Sequence, residues 1–231
     1  VMDGHGGYMN GSRYYGEDLP INTWYMKRFA GLSEDGLSLW YYTDKETNEE
    51  KTTTTYSTGD FYLCGDPNPD LYGGFGTSIT FHGFDLSTQF SYLVGGLTYD
   101  YGYAGMMGNP TATSVGNRWH KDVLKAWSPE NPSSTIPRWY FNDLNTTGSS
   151  DRFLIDGSYL NLQNIQVGYT LPDSWTSHLK IKNLRLYFVC DNVYYWSKRK
   201  GLDPRRSISG VGTSGKIAPF RTYSGGISLQ F

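Results

Sequence analysis

From Gly73 to Val94 the sequence alternates with the period of a β-strand. Phe75, Thr77, Ile79 and Phe81 fall on one side, and Gly76, Ser78, Thr80 and His82 on the other. Past His82–Gly83 the parity reverses. Phe84, Leu86, Thr88, Phe90, Tyr92 and Val94 now oppose Asp85, Ser87, Gln89 and Ser91, the pattern of a hairpin closed by a very short turn. Residues 159–170 predict another strand, with Ile165, Val167 and Tyr169 on one face. Leu160 and Leu162 carry the opposite parity there, which a β-bulge would reconcile. Residues 183–191 set Leu184, Leu186, Phe188 and Cys190 against Arg185, Tyr187, Val189 and Asp191. Residues 220–231 set Tyr223, Gly225, Ile227, Leu229 and Phe231 against Thr222, Ser224, Gly226, Ser228 and Gln230.

Alternation of this kind fits two architectures. In a soluble sandwich the apolar face meets a second sheet; in a membrane barrel it meets lipid while the polar face lines the interior. Predicted strands of about 9–11 residues suit a tilted bilayer crossing better than the commoner 5–6 of soluble sheets. The connectors are also unequal: a corner at His82–Gly83, against the long stretch Gly95–Ser158. Both features favour the barrel. No apolar run approaches the ~20 residues of a membrane helix, which leaves a barrel open.

Composition narrows the function classes. The 231 residues suffice for one large domain or two small ones. Only 38% are apolar, yet 16% are aromatic, with 20 Tyr, 7 Trp and 28 Gly, a bias toward strands and turns. A formal charge of −2 gives no electrostatic case for nucleic acid. Cys64 and Cys190 cannot form a disulfide framework and read as two unrelated thiols. The opening "VMDGHGG" has neither a basic nor an apolar leader region, so either a signal has been removed or the chain is a piece of something longer.

The motif-like stretches yield no catalytic, cofactor or metal site. "GVGTSGKI" (210–217) nearly matches a phosphate loop, but Ile217 stands where a hydroxyl must hold magnesium, and Pro219 follows instead of a helix. "DPNPDLYG" (66–73) begins like a calcium loop, yet Leu71 and Thr77 occupy the positions that need Gly and Glu, so it reads as a proline turn entering a strand. The four histidines lack ligand spacing. The stretch Arg118–Asp143 differs in texture. It carries Trp119, Trp127, Trp139, Tyr140 and Phe141 among prolines, with a short helix predicted near Lys121–Ala126. Two readings stay open for it: aromatics presented to a sugar or a partner, or a loop packed on itself.

"DRFLIDGSYLNLQNIQVGYTLP" (151–172), "KNLRLYFVCDNVYYWSKRKGLDP" (182–204) and "GDPNPDLYGGF…FHGFDLS…FSYLVGG" (65–96) closely resemble the SusC/RagA-like TonB-dependent outer-membrane transporters of Bacteroidota. The likeness covers roughly residues 60–231. Asn161 and Gln163 replace the family's usual basic residues, Cys190 takes a small-residue position, and Arg205 stands where an acid is usual. The resemblance implies an all-β fold: residues 1–231 as the C-terminal strands of a 22-stranded, plugged, antiparallel transmembrane β-barrel with long extracellular loops. The plug and the N-terminal strands would then lie outside this chain. Tyr223, Ile227, Leu229 and Phe231 would form the closing strand and its barrel-assembly signal. Phe75, Ile79, Phe81, Phe84, Leu86, Phe90, Ile165, Val167, Leu184, Leu186 and Phe188 would face outer-membrane lipid. The His82–Gly83 and Leu171–Ile181 turns would be periplasmic, and Gly95–Ser158 and Lys198–Pro219 extracellular. The implied function is import of an oligosaccharide or peptide across the cell outer membrane, without enzymatic chemistry or cofactor. Its implied partners are a SusD-like lipoprotein lid, the rest of the same transporter, and the TonB complex through the absent plug. Trp119, Trp127, Trp139 and Tyr140 would contact cargo or lid. The alternative is a secreted β-sandwich that binds glycans.

Overall fold

The computed structural model describes residues 6–111, 116, 118–143, 148–199, 202–206, 209–212 and 219–231. Its strands are β1 (Gly7–Asn10), β2 (Arg13–Gly16), β3 (Thr23–Lys27), β4 (Phe29–Leu32), β5 (Ser38–Thr43), β6 (Glu50–Thr53), β7 (Phe61–Leu63), β8 (Leu71–Phe81), β9 (Phe84–Val94), β10 (Leu97–Tyr99), β11 (Leu154–Asp156), β12 (Tyr159–Thr170), β13 (Asn183–Ser197) and β14 (Thr222–Gln230). Two short helices are α1 (Tyr101–Met106) and α2 (Asp173–Thr176). The chain divides into two compact units. The first gathers Val1–Asn68, Gly96–Asp156 and Arg206–Gly215; the second gathers Pro69–Gly95, Gly157–Arg205 and Lys216–Phe231.

The second unit is one antiparallel sheet in the order β14-β13-β12-β9-β8. Its strands run where the alternation places them, with β13 extending to Ser197, beyond the nine residues the sequence suggests. The β8–β9 hairpin closes on His82 (φ 47°) and Gly83 (φ 84°), the paired positive φ values of a tight two-residue turn. Glycine is required at 83, because a Cβ there would lie 2.6 Å from the Thr170 carbonyl oxygen, whose own amide donates to Gly83 O at 2.7 Å. The expected bulge is present. The register of β12 shifts between Leu162 and Asn164 against both β9 and β13. Leu160 and Leu162 therefore join the face of Ile165 and Val167.

The opposite, polar face carries a cross-strand ion pair. Arg185 on β13 donates from Nε to Asp85 Oδ1 at 2.9 Å and from Nη2 to Oδ2 at 2.5 Å, spanning β12 to reach β9. The span passes over Gly168, where a Cβ would sit 2.4 Å from Asp85 Oδ1 and 2.5 Å from Arg185 Nη2. Asn164 donates to Asp191 at 2.7 Å on the same face. Beyond β13, Arg205 grips Asp203 through Nε and Nη2 and donates from Nη1 to Asn161 Oδ1 at 2.6 Å, fixing the Leu202–Arg206 stretch.

The first unit was the least legible. Its strands are three to six residues long, in three small sheets: β1-β2-β3-β7, β4-β5-β6 and β10-β11. They close on Trp24, Met26, Tyr99, Met107 and Phe153. The Trp24 indole N–H donates to Leu97 O at 3.1 Å, and the Arg13 guanidinium lies 3.1 Å over its ring while donating to Asn22 O and Ser209 O. Tyr99 exchanges backbone hydrogen bonds with Gly210 and Gly212, both at 2.8 Å. The long connector Gly95–Ser158 is thus built into a core with residues on either side of the sheet in sequence.

The secreted-sandwich alternative fails on exposure. A sandwich buries its apolar sheet face, whereas Phe75, Ile79, Phe81 and Phe84 are each more than half exposed. Residues 213–217 of the "GVGTSGKI" stretch lie outside the described residues. Asp66 accepts from Asn68 N at 2.8 Å, the turn expected at the entry to β8.

The ion pair generates a prediction. Gly168→Ala should displace Asp85 and Arg185 and cost the intact protein about 1–2 kcal/mol, within the range for overpacking. In an Asp85→Ser/Arg185→Ser background the same substitution should be close to neutral. Unfolding midpoints of the four proteins check this; an undiminished cost in the double-serine background contradicts it.

Candidate membrane-facing sheet and aromatic loop

Residues paired across an antiparallel sheet share a face, so the register traces the apolar surface across all five strands. Phe75, Ile79 and Phe81 pair with Phe90, Leu86 and Phe84. Leu86 and Phe90 pair in turn with Val167 and Leu162. Val167 and Ile165 continue to Phe188 and Cys190, and Tyr169 to Leu186. Leu184, Leu186 and Cys190 end on Leu229, Ile227 and Tyr223. All eleven residues read from the sequence as lipid-facing therefore share one face with Tyr223, Ile227 and Leu229.

Most of this face is open. Leu86, Val167, Leu186, Phe188, Tyr223, Ile227 and Leu229 are exposed, as is Phe231 just past β14; Phe90, Ile165 and Leu184 are half-buried among neighbours. Phe90 stacks on Phe75 with ring centres 4.8 Å apart. The face is edged by Tyr194 and Trp196 at one end and by Phe81, Phe84 and Tyr169 at the other. Eleven-residue strands such as β8 and β9 reach about 36 Å along their axis, enough for a tilted strand to cover a ~25 Å apolar band. Three connections leave one end of the sheet by long routes: the approach to β8, β9 to β12, and β13 to β14. The other end is joined by His82–Gly83 and by the short α2 segment.

The aromatic stretch resolves into separate roles. Trp119 and Trp139 meet edge-on at 5.4 Å and both donate their indole N–H to Gly108 O, at 3.1 and 3.2 Å. Trp127 does not join them. Its ring covers Gly36 (φ 72°), where a Cβ would lie 2.3 Å from the indole, and its amide donates to Ile136 O at 2.8 Å. Tyr140 and Phe141 stand exposed beside the Trp pair. The predicted helix is a 3-10 turn, Lys121–Lys125, capped by His120 Nδ1 accepting from Asp122 N. Thus Trp127 is packed within the loop's own unit, and Trp139–Phe141 are exposed.

Buried chemistry in the first unit is structural. Burial lowers the Arg152 guanidinium to about 10, still charged at neutral pH, between the rings of Phe29 and Phe153. Burial raises the pKa of the Asp151 carboxyl, which accepts from Phe29 N at 2.8 Å. Cys64 donates its S–H to Tyr62 O at 3.3 Å, and burial pushes its thiol up to about 11. Sequence reasoning drew no strand and no site from residues 7–63, yet they line an open cleft of about 1160 Å³. Its lining comes from strands too short to show a period, so no signal in the sequence marks it.

Known proteins agree with this geometry. The chain is 29% identical to the TonB-dependent receptor P3 of Formosa agariphila over 235 residues, 97% of this chain and 22% of that protein. It is 27% identical to the TonB-dependent receptor SusC of Bacteroides thetaiotaomicron, over 77% of this chain and 17% of SusC. A solved structure of the RagAB peptide transporter superposes with a TM-score of 0.80 at 25% identity, covering 100% of this chain and 25% of that one. The chain is similar to SusC in sequence and to the RagAB transporter in fold. No protein-family model matches it. The chain spans about a fifth of the length of the curated relatives it matches.

The raised Cys64 pKa sets its reactivity. A thiol near 11 holds only about one part in a thousand as thiolate at pH 8. In a Cys190→Ser background, alkylation of the folded protein should be slow at pH 8 and accelerate about tenfold per pH unit up to pH 10. Alkylation that levels off above pH 9 would contradict it.

Proposed function

We propose that this chain is the C-terminal part of the barrel of a TonB-dependent outer-membrane transporter that imports an oligosaccharide or peptide with a SusD-like lipoprotein. One observation carries the reading: a continuous apolar face across five strands, exposed and edged by aromatics, backed by a polar, ion-paired face. Water does not favour so large an apolar surface; a bilayer does. Likeness to SusC and to RagAB over most of the chain supports the same assignment.

In this reading the apolar face meets lipid and the Asp85–Arg185 face lines the barrel interior. Short turns at His82–Gly83 and around α2 lie in the periplasm, and the long connections emerge outside the cell. The outer strands β8 and β14 offer unpaired backbone groups that the rest of the transporter completes, since open edges do not persist in lipid. Trp119, Trp139, Tyr140 and Phe141 then form the surface offered to lid or cargo, with Trp127 as an internal support. Energy arrives through the plug from the TonB complex, so the chain needs no catalytic group.

The two faces should tolerate charge differently. In the full-length protein, Val167→Arg places a guanidinium against lipid and should cost up to about 2–4 kcal/mol, whereas Gln166→Arg, on the interior face, should assemble normally. The yield of heat-modifiable barrel in the outer membrane reads the difference. Equal yields, or the reverse order, would refute the membrane assignment.

A further inference from the structure

We infer that residues 202–205 form a strap across the outer end of the sheet's polar face, and that Arg205 thereby limits the size of cargo passing along it; the inference rests on the importer reading. Register fixes the face. Asn161 pairs with Ser91 on β9 and with Tyr195 on β13, while its neighbours Leu160 and Leu162 belong to the apolar side. The side chains at 91, 161 and 195 therefore share the polar side. All three lie toward the end where β9 stops and β12 begins, the end that the long connections leave.

The chain leaving β13 turns back onto this face. Ser197 Oγ donates to Leu202 O at 3.4 Å, and Leu202, Asp203 and Pro204 are buried. Arg205 then reaches the sheet. Its guanidinium lies 4.6 Å over the Tyr195 ring, and Nη1 donates to Asn161 Oδ1 at 2.6 Å. Asp203 takes the other side of the fork, accepting from Nε at 2.8 Å and from Nη2 at 2.7 Å, which holds Nη1 on its target. Asn161 is buried, and its own amide donates to Ser91 Oγ at 3.4 Å, which aims the carbonyl oxygen at the arginine. A segment laid face-on to a sheet adds about 10 Å, the spacing of packed layers. The strap thus occupies width that the bare strands would leave open. Arg205 supplies both the ring contact and the charged hydrogen bond that tie the strap to β13 and β12, so one side chain governs whether it lies down or lifts.

The test is size-graded labelling of the full-length transporter on intact cells. Ser87→Cys, on the same face but further from the outer end, is the target in a Cys64→Ser/Cys190→Ser background. The probes are a small sulfonated maleimide and the same maleimide on a long polyethylene glycol chain. In this parent the small probe should label, and the long one should react several-fold more slowly. Arg205→Ala and Asn161→Ala should each speed the long probe several-fold and leave the small one unchanged. Asn161→Asp, which still accepts from the guanidinium, should behave as the parent. Equal rates for both probes in the parent, a target that neither probe reaches, or alanine variants that label like the parent would each overturn the inference. So would alanine variants that speed both probes alike, or an Asn161→Asp variant that labels like Asn161→Ala. Where Arg205→Ala lowers the barrel yield, Asn161→Ala decides. Heat-modifiability of the parent separates the two levels. An assembled barrel without size-graded labelling overturns the strap alone, and failure to form a barrel overturns the importer reading with it.

Discussion

The register of β12 is the constraint on which the large sheet depends. Side chains alternate strictly along a strand, so a slip of one residue sends every later side chain to the opposite face. Without the shift between Leu162 and Asn164, Leu160 and Leu162 would point to the polar side and interrupt the apolar surface that Phe90, Tyr194 and Trp196 continue. With it, one face stays apolar along the full length of the central strand. The Asp85–Arg185 pair on the other side reinforces the same register, because it closes only when Gly168 lies directly between its partners. A bulge and a glycine, neither apolar, thereby decide what the apolar residues do.

That division of labour shapes the molecule's chemistry. The open face asks for a non-aqueous neighbour, while the ion pair, the Asn164–Asp191 bond and the Arg205 clamp make the reverse face rigid and polar. Long connections leave only one end of the sheet, and their residues build a separate core around Trp24 and Tyr99. The exposed Trp139–Phe141 edge and the cleft lined by residues 7–63 both belong to this first unit. The large sheet and this core are thus built from different parts of the sequence, and the parts alternate along the chain.

The sheet was legible because long strands give alternation room to declare itself. Both ends of β9 and β12 match the reading, and Leu160 and Leu162 announced the bulge by their parity. The first unit was not legible for the converse reason. A three-residue strand such as β7 has no measurable period, and its core forms from residues far apart in sequence, Trp24, Tyr99 and Phe153. The aromatic stretch was half legible. Its aromatic content set it apart in the sequence, but only the positions of Gly36 and Gly108 decide that Trp127 turns inward while Trp119 and Trp139 pair. The cleft left no trace, since the residues lining it belong to no common motif.

Lipid contact of the apolar face is the claim from which the rest follows. Spin labels placed singly along β9 and β12 of the intact protein in bilayers measure it, through relative accessibility to oxygen and to a water-soluble nickel complex. Labels at Leu86, Phe90 and Val167 should favour oxygen, and those at Ser87, Gln89 and Gln166 should favour nickel or neither. Alternation with the opposite phase, or nickel access along the whole of both strands, would contradict the account.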